Sequence, residues 1–444
     1  MANYHHYEKS GKIKTDVGEL TFDNLTDDLD KLRTKGDGLK IVDKTVTDIG
    51  TTEKGKKKIL AIKIGRDSSK RVLLVGCHHA REWISVEIPF LVAKYLIDNY
   101  KEKANCTTDK EKRINYLVDN AEIWIVPILN PDGHLKTFGS GDSLWRANRK
   151  RVVFAADQTI ERWVETKEYF TETKKFGSDD YNLKYFRLAA TGVGRKETAV
   201  VKKGVYEGVD LNRNYPAPKG PAGAKEPEWG VETHGETAPF QGGFVEFENV
   251  KDATDKGSFW SLQTSKEPKP PDTFCGPSAG SEKEVDAVVQ LVAKGNFKVI
   301  VSYHNFSKVL LFPDDAAKDV GVQFLGKGME ELFKDQKNAY KYESGSGLYP
   351  TSGDTMAWAW RVHSIANYTI ELPPTEADAK ANNSKFNRFP PSEIQGTFEH
   401  NLPVALCAIN CAISGLTPAK VASPPKGVVS AVLNCWEQLK GWKP

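Results

Sequence analysis

RVLLVGCHHARE, residues 71 to 82, is an apolar run of strand length that passes without a break into a doubled histidine, an arginine and a glutamate. On either side of it the strand signal returns, in KKILAIKIG (57 to 65) and AEIWIVPIL (121 to 129), and a stretch of helical periodicity runs from Trp83 to Tyr100. Further strands are expected at FKVIVSYH (297 to 304), KVLLFP (308 to 313) and SIANYTIEL (364 to 372), and helices near 281 to 294, 317 to 336, 352 to 362 and 392 to 414. Strands alternating with helices predict an α/β fold, a single large domain in which helices sandwich a mixed central sheet.

Two stretches break the rhythm. Residues 152 to 205 are charged and irregular, and 216 to 272 are rich in Pro, Gly and Glu, as in PAPKGPAGAKEPEWG. Both read as long surface insertions. The expected organisation is therefore one main domain over 1 to 416 carrying these insertions, then a tail over 417 to 444.

The chain has 444 residues, 39% hydrophobic and 27% charged, enough apolar side chain for a sizeable core. Its 62 basic and 59 acidic residues leave a net charge of only +3, so no whole-molecule field draws it to nucleic acid or an anionic membrane. The six cysteines, Cys77, Cys106, Cys275, Cys407, Cys411 and Cys435, form no CxxC pair. Cys407 and Cys411 lie in the apolar run Leu402 to Leu416 and read as core thiols of a buried helix. That run is too short to cross a bilayer, and MANYHHYEKSGKIKTD at the start carries no apolar segment of a secretory signal. A soluble monomer is expected, cytoplasmic, or secreted if a leader has been removed.

His79 and Glu82 stand three apart just beyond a rigid strand, so an imidazole nitrogen and a carboxylate oxygen can grip one zinc ion at ~2.0 to 2.2 Å. From these two residues alone a capping pair at a helix start reads equally well. His5 and Glu8 repeat the spacing with no strand to hold them. A catalytic zinc needs a third protein ligand and an open position. His304, at the end of FKVIVSY, is the candidate, because the ends of parallel strands gather on one sheet edge.

With further segments included, the chain resembles the zinc carboxypeptidase family of pancreatic carboxypeptidases A and B and their bacterial relatives. The resemblance rests on GCHHARE (76 to 82), NPDG (130 to 133), LWRANR (144 to 149), GVDLNRN (208 to 214), CGPSAGSE (275 to 282), YHNFS (303 to 307), LYPTSGDTMAW (348 to 358) and YTIEL (368 to 372), in that order. It implies one Zn²⁺ held by His79, Glu82 and His304, with Asp210 supporting the first histidine. It also implies Glu371 as the general base toward a zinc-activated water and Arg146 as the group that stabilises the oxyanion. Asn212 and Arg213 would bind the terminal carboxylate of a peptide or protein, guanidinium being suited to planar bidentate contact. Tyr349 would close over the terminal residue, and Arg81 would lie near the next subsite inward.

The side-chain pocket is less determined. By the same resemblance Met356 falls at its base, which favours apolar termini, whereas Asp354 and Asp315 fall among its lining positions and would suit a basic one. Two other classes compete with a carboxypeptidase. Zinc amidohydrolases related to aspartoacylase share an HxxE and a later histidine but act on small N-acyl amino acids. A non-catalytic binding module would have lost a ligand or the base, and His79, Glu82, His304 and Glu371 are all present.

Overall fold

The apolar runs on either side of the His79 loop become neighbouring strands. The computed structural model describes residues 18–138, 144–165, 168–176, 179–187, 194–201, 203–216, 246–249, 256–258, 274–313, 316–317, 319–334, 339–345, 353–374 and 391–414. Helix α1 (Gly18–Gly38) leads into strands β1 (Asp48–Thr51), β2 (Lys58–Leu60), β3 (Ile62–Gly65) and β4 (Arg71–Gly76). After helices α2 (Ile84–Asn99) and α3 (Asp109–Asn120) come β5 (Glu122–Val126) and the short α4 (Pro131–Lys136). Next are β6 (Arg151–Phe154), β7 (Gln158–Glu165), β8 (Glu168–Phe176), β9 (Asp179–Arg187), β10 (Gly194–Val201), β11 (Gly204–Glu207), β12 (Glu246–Asn249) and β13 (Lys256–Ser258). The chain then runs through α5 (Lys283–Ala293), β14 (Phe297–Asn305), β15 (Val309–Phe312), α6 (Val320–Lys334), β16 (Lys341–Ser344), α7 (Thr355–His363), β17 (Ala366–Leu372) and α8 (Pro391–Ser414).

Seven strands form the central sheet, in the order β16-β15-β17-β14-β4-β5-β3. Its middle is parallel: β14 pairs in parallel with both β4 and β17, and β4 with β5, while β3 and β15 join antiparallel. The sheet is mixed, as the alternation of elements predicts. Interior strands of such a sheet are covered on both faces, and β4, β14 and β17 are buried along almost their whole length. Val72 and Leu74 of β4 pack with Val299, Val301 and Tyr303 of β14 into a core shared with α2 and α8. Leu73, Val75 and Ile300 face the other way, into a core closed by α5 and α7 through Val288, Leu291, Trp358 and Ala359. Cys407 and Cys411 are buried free thiols on α8, as expected of core residues.

The charged stretch 152 to 205 is not irregular. It contributes six strands, with β6 paired to β11, β7 to β10, and β8 and β9 joined to β12 and β13 in a four-stranded sheet. β-branched and aromatic residues interleave there with charges, as in DDYNLKYFR, so the density of charge conceals a workable strand pattern. The β6–β11 ribbon is tied to the body at Glu207, whose carboxylate accepts from Arg149 Nε at 2.8 Å and pairs with Lys54 and Lys136. The tail over 417 to 444 and most of 216 to 272 lie outside the described residues.

Candidate metal centre

The parallel middle of the sheet brings the ends of β4, β14 and β17 to one edge, the usual location of sites in α/β folds. At the end of β4 the chain folds back at once on the start of α2. Gly76 permits this, since a Cβ there would lie 2.0 Å from the Ser85 carbonyl oxygen. On the adjacent strand Tyr303 registers with Gly76, and His304 with Glu371 of β17. His79, Glu82, His304 and Glu371 thus meet at one edge, although more than 200 residues separate the first pair from His304.

His79, Glu82 and His304 are all buried, and one ligand atom from each lies within 4.8 Å of the others. His79 Nδ1 is 2.7 Å from Glu82 Oε1, and His304 Nδ1 is 3.0 Å from Glu82 Oε2 and 3.1 Å from His79 Nδ1. The far nitrogen of His79 faces a carboxylate, with Nε2 3.2 Å from Asp210 Oδ1. A carboxylate only accepts, so a metal bound at Nδ1 would leave the ring proton on Nε2, donated to Asp210. Burial holds His304 below the ordinary imidazole value, only partly offset by Glu82, and neutral imidazole is the form that binds metal. Two imidazole nitrogens and a carboxylate turned on one point fit the donor set of zinc.

Asp210 organises the next layer. It starts a short turn over Leu211–Arg213, its Oδ1 accepts from the Asn212 backbone N–H at 2.9 Å, and its Oδ2 accepts from Arg146 Nε at 2.8 Å. Burial alone would raise its pKa, but Arg146, His79 and Arg213 hold it well below the carboxylate range. Arg146 is itself buried, so RANRKR is not merely a solvated basic run. Arg213 is fully buried and donates from Nη1 to the Asn212 carbonyl at 2.7 Å. Asn214 fastens this turn to the CGPSAGSE segment by donating to the Cys275 and Ser278 carbonyls and accepting from Glu282 N–H.

Two carboxylates of opposite character share the edge. His79 and His304 hold Glu82 below its ordinary value in spite of burial. Glu371 is pushed well above its own, first by burial and then by the Glu82 carboxylate, with Arg146 and Arg213 opposing. Glu371 is 8% exposed, which rules out a role as a solvating residue at the end of a strand.

The remaining candidates divide. Met356 packs with Val309 and Leu311 in a small apolar cluster, and Val309 registers with Glu371 on the neighbouring strand. Asp354 caps α7, its Oδ1 accepting from the Ala357 N–H at 2.8 Å. Arg81 donates to the Leu144 carbonyl at 3.3 Å. Tyr349 and Asp315 lie outside the described residues. Sequence reasoning overlooked a buried polar group behind the ligands, His78, Ser302, Thr355 and Tyr215. Its available signals were the doubled histidine and a serine two positions before His304, on the same face of β14.

Fold and donor set together define an α/β protein with a candidate zinc centre at the carboxyl edge of its parallel strands. The sequence profile of the zinc carboxypeptidase family matches residues 43–403, and the chain belongs to that family. Metallocarboxypeptidase A of Trichophyton tonsurans is 37% identical over 86 residues, covering 19% of this chain and 18% of that protein. Human (Homo sapiens) carboxypeptidase B is 22% identical over 338 residues, 74% of this chain and 57% of that one. The chain thus matches about a fifth of the fungal protein's length and little more than half of the human one's. Among solved structures, carboxypeptidase A from Helicoverpa armigera superposes with a TM-score of 0.54 at 17% identity, covering 94% of this chain and 77% of that one. Bovine thrombin-activatable fibrinolysis inhibitor, solved in complex with tick carboxypeptidase inhibitor, gives 0.54 at 17% identity, covering 88% and 96%. These likenesses establish the carboxypeptidase fold.

Proposed function

We propose that this protein is a zinc-dependent carboxypeptidase that hydrolyses the last peptide bond of a peptide or protein, with His79, Glu82 and His304 holding the ion. The observation that carries this reading is the convergence of these three ligand atoms within 4.8 Å, beside a buried glutamate that is not one of them. Zinc bound there would supply Lewis acidity, polarising a carbonyl oxygen and lowering the pKa of a water toward ~7. Glu371 takes the proton of the attacking water and delivers it to the leaving amine nitrogen. Arg146, oriented by Asp210 through Nε, presents its guanidinium to the carbonyl oxygen as that atom gains charge. Asn212 and Arg213 hold the terminal carboxylate, which sets the scissile bond in line with Glu371. Tyr349 closes over the terminal side chain, and Arg81 lies toward the next residue inward.

The terminal side chain preferred is apolar. Met356, Val309 and Leu311 offer a hydrocarbon surface next to Glu371, and the Asp354 carboxylate is engaged at the start of α7. Asp315 would have to supply any preference for a basic terminus. Release of amino acid from N-blocked dipeptides ending in Phe, Leu, Arg or Glu, with and without a zinc chelator, tests the reading. Chelator-sensitive release ranked Phe and Leu above Arg is expected. Turnover of small N-acyl amino acids with none of any dipeptide would overturn it in favour of an amidohydrolase.

A further inference from the structure

Behind the candidate metal centre a continuous line of buried polar atoms runs from His304 to Asn212. His304 Nε2 lies 3.0 Å from Ser302 Oγ, Ser302 Oγ lies 3.3 Å from His78 Nδ1, and His78 Nε2 lies 3.0 Å from Thr355 Oγ1. Thr355 Oγ1 in turn donates to Asn212 Oδ1 at 2.8 Å. His78, Ser302 and Thr355 are each at most 1% exposed, so the line is shielded from bulk solvent.

A single backbone group fixes the Asn212 end of this line. The Thr355 N–H also points at the Asn212 side chain, 3.0 Å from Oδ1. A backbone N–H can only donate, so the Asn212 amide must turn its oxygen to Thr355 and its NH₂ away from it. With Asn212 Oδ1 as acceptor, the Thr355 hydroxyl spends its proton there and can only accept at its contact with His78, which it does when Nε2 carries the ring proton. Among the described residues the His78 ring bonds the hydroxyls of Thr355 and Ser302, with Tyr215 Oη also 2.9 Å from Nε2. Neutral, it has a bare Nδ1 that accepts from Ser302, and Ser302 Oγ then accepts from His304 Nε2–H. His304 is left with its lone pair on Nδ1, the nitrogen turned toward His79 and Glu82.

We propose that His78 is a positioning residue whose hydrogen-bond relay, Asn212–Thr355–His78–Ser302–His304, fixes in one stroke the orientation of the amide that reads the substrate carboxylate and the tautomer of the third metal ligand. This rests on the zinc and carboxylate roles proposed above. It adds that the two subsites are coupled through residues that touch neither zinc nor substrate. Outer hydrogen-bond partners of ligating histidines commonly contribute ~10 to 100-fold in metal affinity, and the relay should act at the low end of that range.

The test is a zinc titration against a chromogenic chelator beside dipeptide kinetics, in wild type, His78→Phe, Ser302→Ala, Thr355→Val and Thr355→Ser. His78→Phe and Ser302→Ala should each weaken zinc by about tenfold. Thr355→Val should raise KM with kcat close to wild type and weaken zinc in the same direction, and Thr355→Ser, which keeps the hydroxyl, should restore both. Ser302→Ala leaves the His78 ring in place and carries the test if His78→Phe does not fold. Nitrogen NMR of the histidine rings in the zinc-loaded protein should show Nε2–H for His78 and His304. Wild-type protein that binds zinc and cleaves dipeptides, with variant affinities within about twofold of it or with Nδ1–H at His78, overturns the relay alone. Wild type that binds no zinc overturns both the relay and the functional reading beneath it.

Discussion

Glu371 and Glu82 are the same residue type at one sheet edge, yet their surroundings drive them apart, one held ionised between two histidines and the other pushed toward the protonated form by burial and its neighbour's charge. Such a division suits the roles proposed for Glu82 as a metal ligand and Glu371 as a proton carrier. Glu371→Gln keeps the shape and removes the proton acceptor, so kcat should fall by about 10² to 10⁴-fold while zinc titrates as in wild type. A variant retaining more than a tenth of wild-type kcat would remove Glu371 from the mechanism. The three candidate ligands were legible in the sequence because each ends or follows an apolar strand, where a charged or imidazole side chain is conspicuous. Ser302 and Thr355 were not legible. A serine inside an apolar strand, or a threonine at the first position of a helix, is ordinary sequence until the fold shows which imidazole it faces.

At the scale of elements, α7 shows how a boundary decides a residue's role. Helical periodicity placed its start near residue 352, and the resemblance placed Asp354 among the pocket-lining positions. It begins instead at Thr355, with Gly353 at φ +69° and Asp354 as its N-cap. Gly353 has little freedom to change, because a Cβ there would lie 2.2 Å from the Arg213 carbonyl oxygen. Asp354→Ala should cost about 0.5 to 2 kcal/mol of stability in denaturant unfolding. Asp354→Asn, still a good cap, should restore most of it and leave the ratio of Phe to Arg release unchanged. A marked loss of Arg release in the Asn variant would instead return Asp354 to the specificity pocket. The strands between 152 and 205 were hidden for another reason. Their apolar positions are diluted by charge, and strand propensity tracks how well each side chain fits a pleated surface more closely than how apolar the whole stretch is.

The whole molecule should respond to metal and to pH through different parts. The proposed ligands follow β4 and end β14, far apart in sequence, so zinc held by them would link the ends of these strands and a chelator should lower the unfolding midpoint. At free zinc 1,000-fold above Kd the loss is about 4 kcal/mol, and an unchanged midpoint would mean that no ion had been bound. The pH response has a source away from the site. Glu87 is fully buried on α2, and burial pushes its carboxyl up to about 8. An unfolded glutamate titrates near ~4.3, so between there and about 8 the folded chain holds a proton that the unfolded chain has lost. Stability from this group is therefore fully present below the unfolded value, declines as pH rises through the window, and levels off above about 8. Glu284, also raised to about 8, acts in the same sense, whereas His134, lowered to about 4 by burial, acts in the opposite sense and only below the ordinary histidine value of ~6.5. Comparing wild type with Glu87→Gln cancels the other groups. From pH 6.5 to 8 the variant should gain on wild type by up to about 1.4 kcal/mol per pH unit in urea unfolding, and parallel stability curves would show that Glu87 is already ionised in the folded protein.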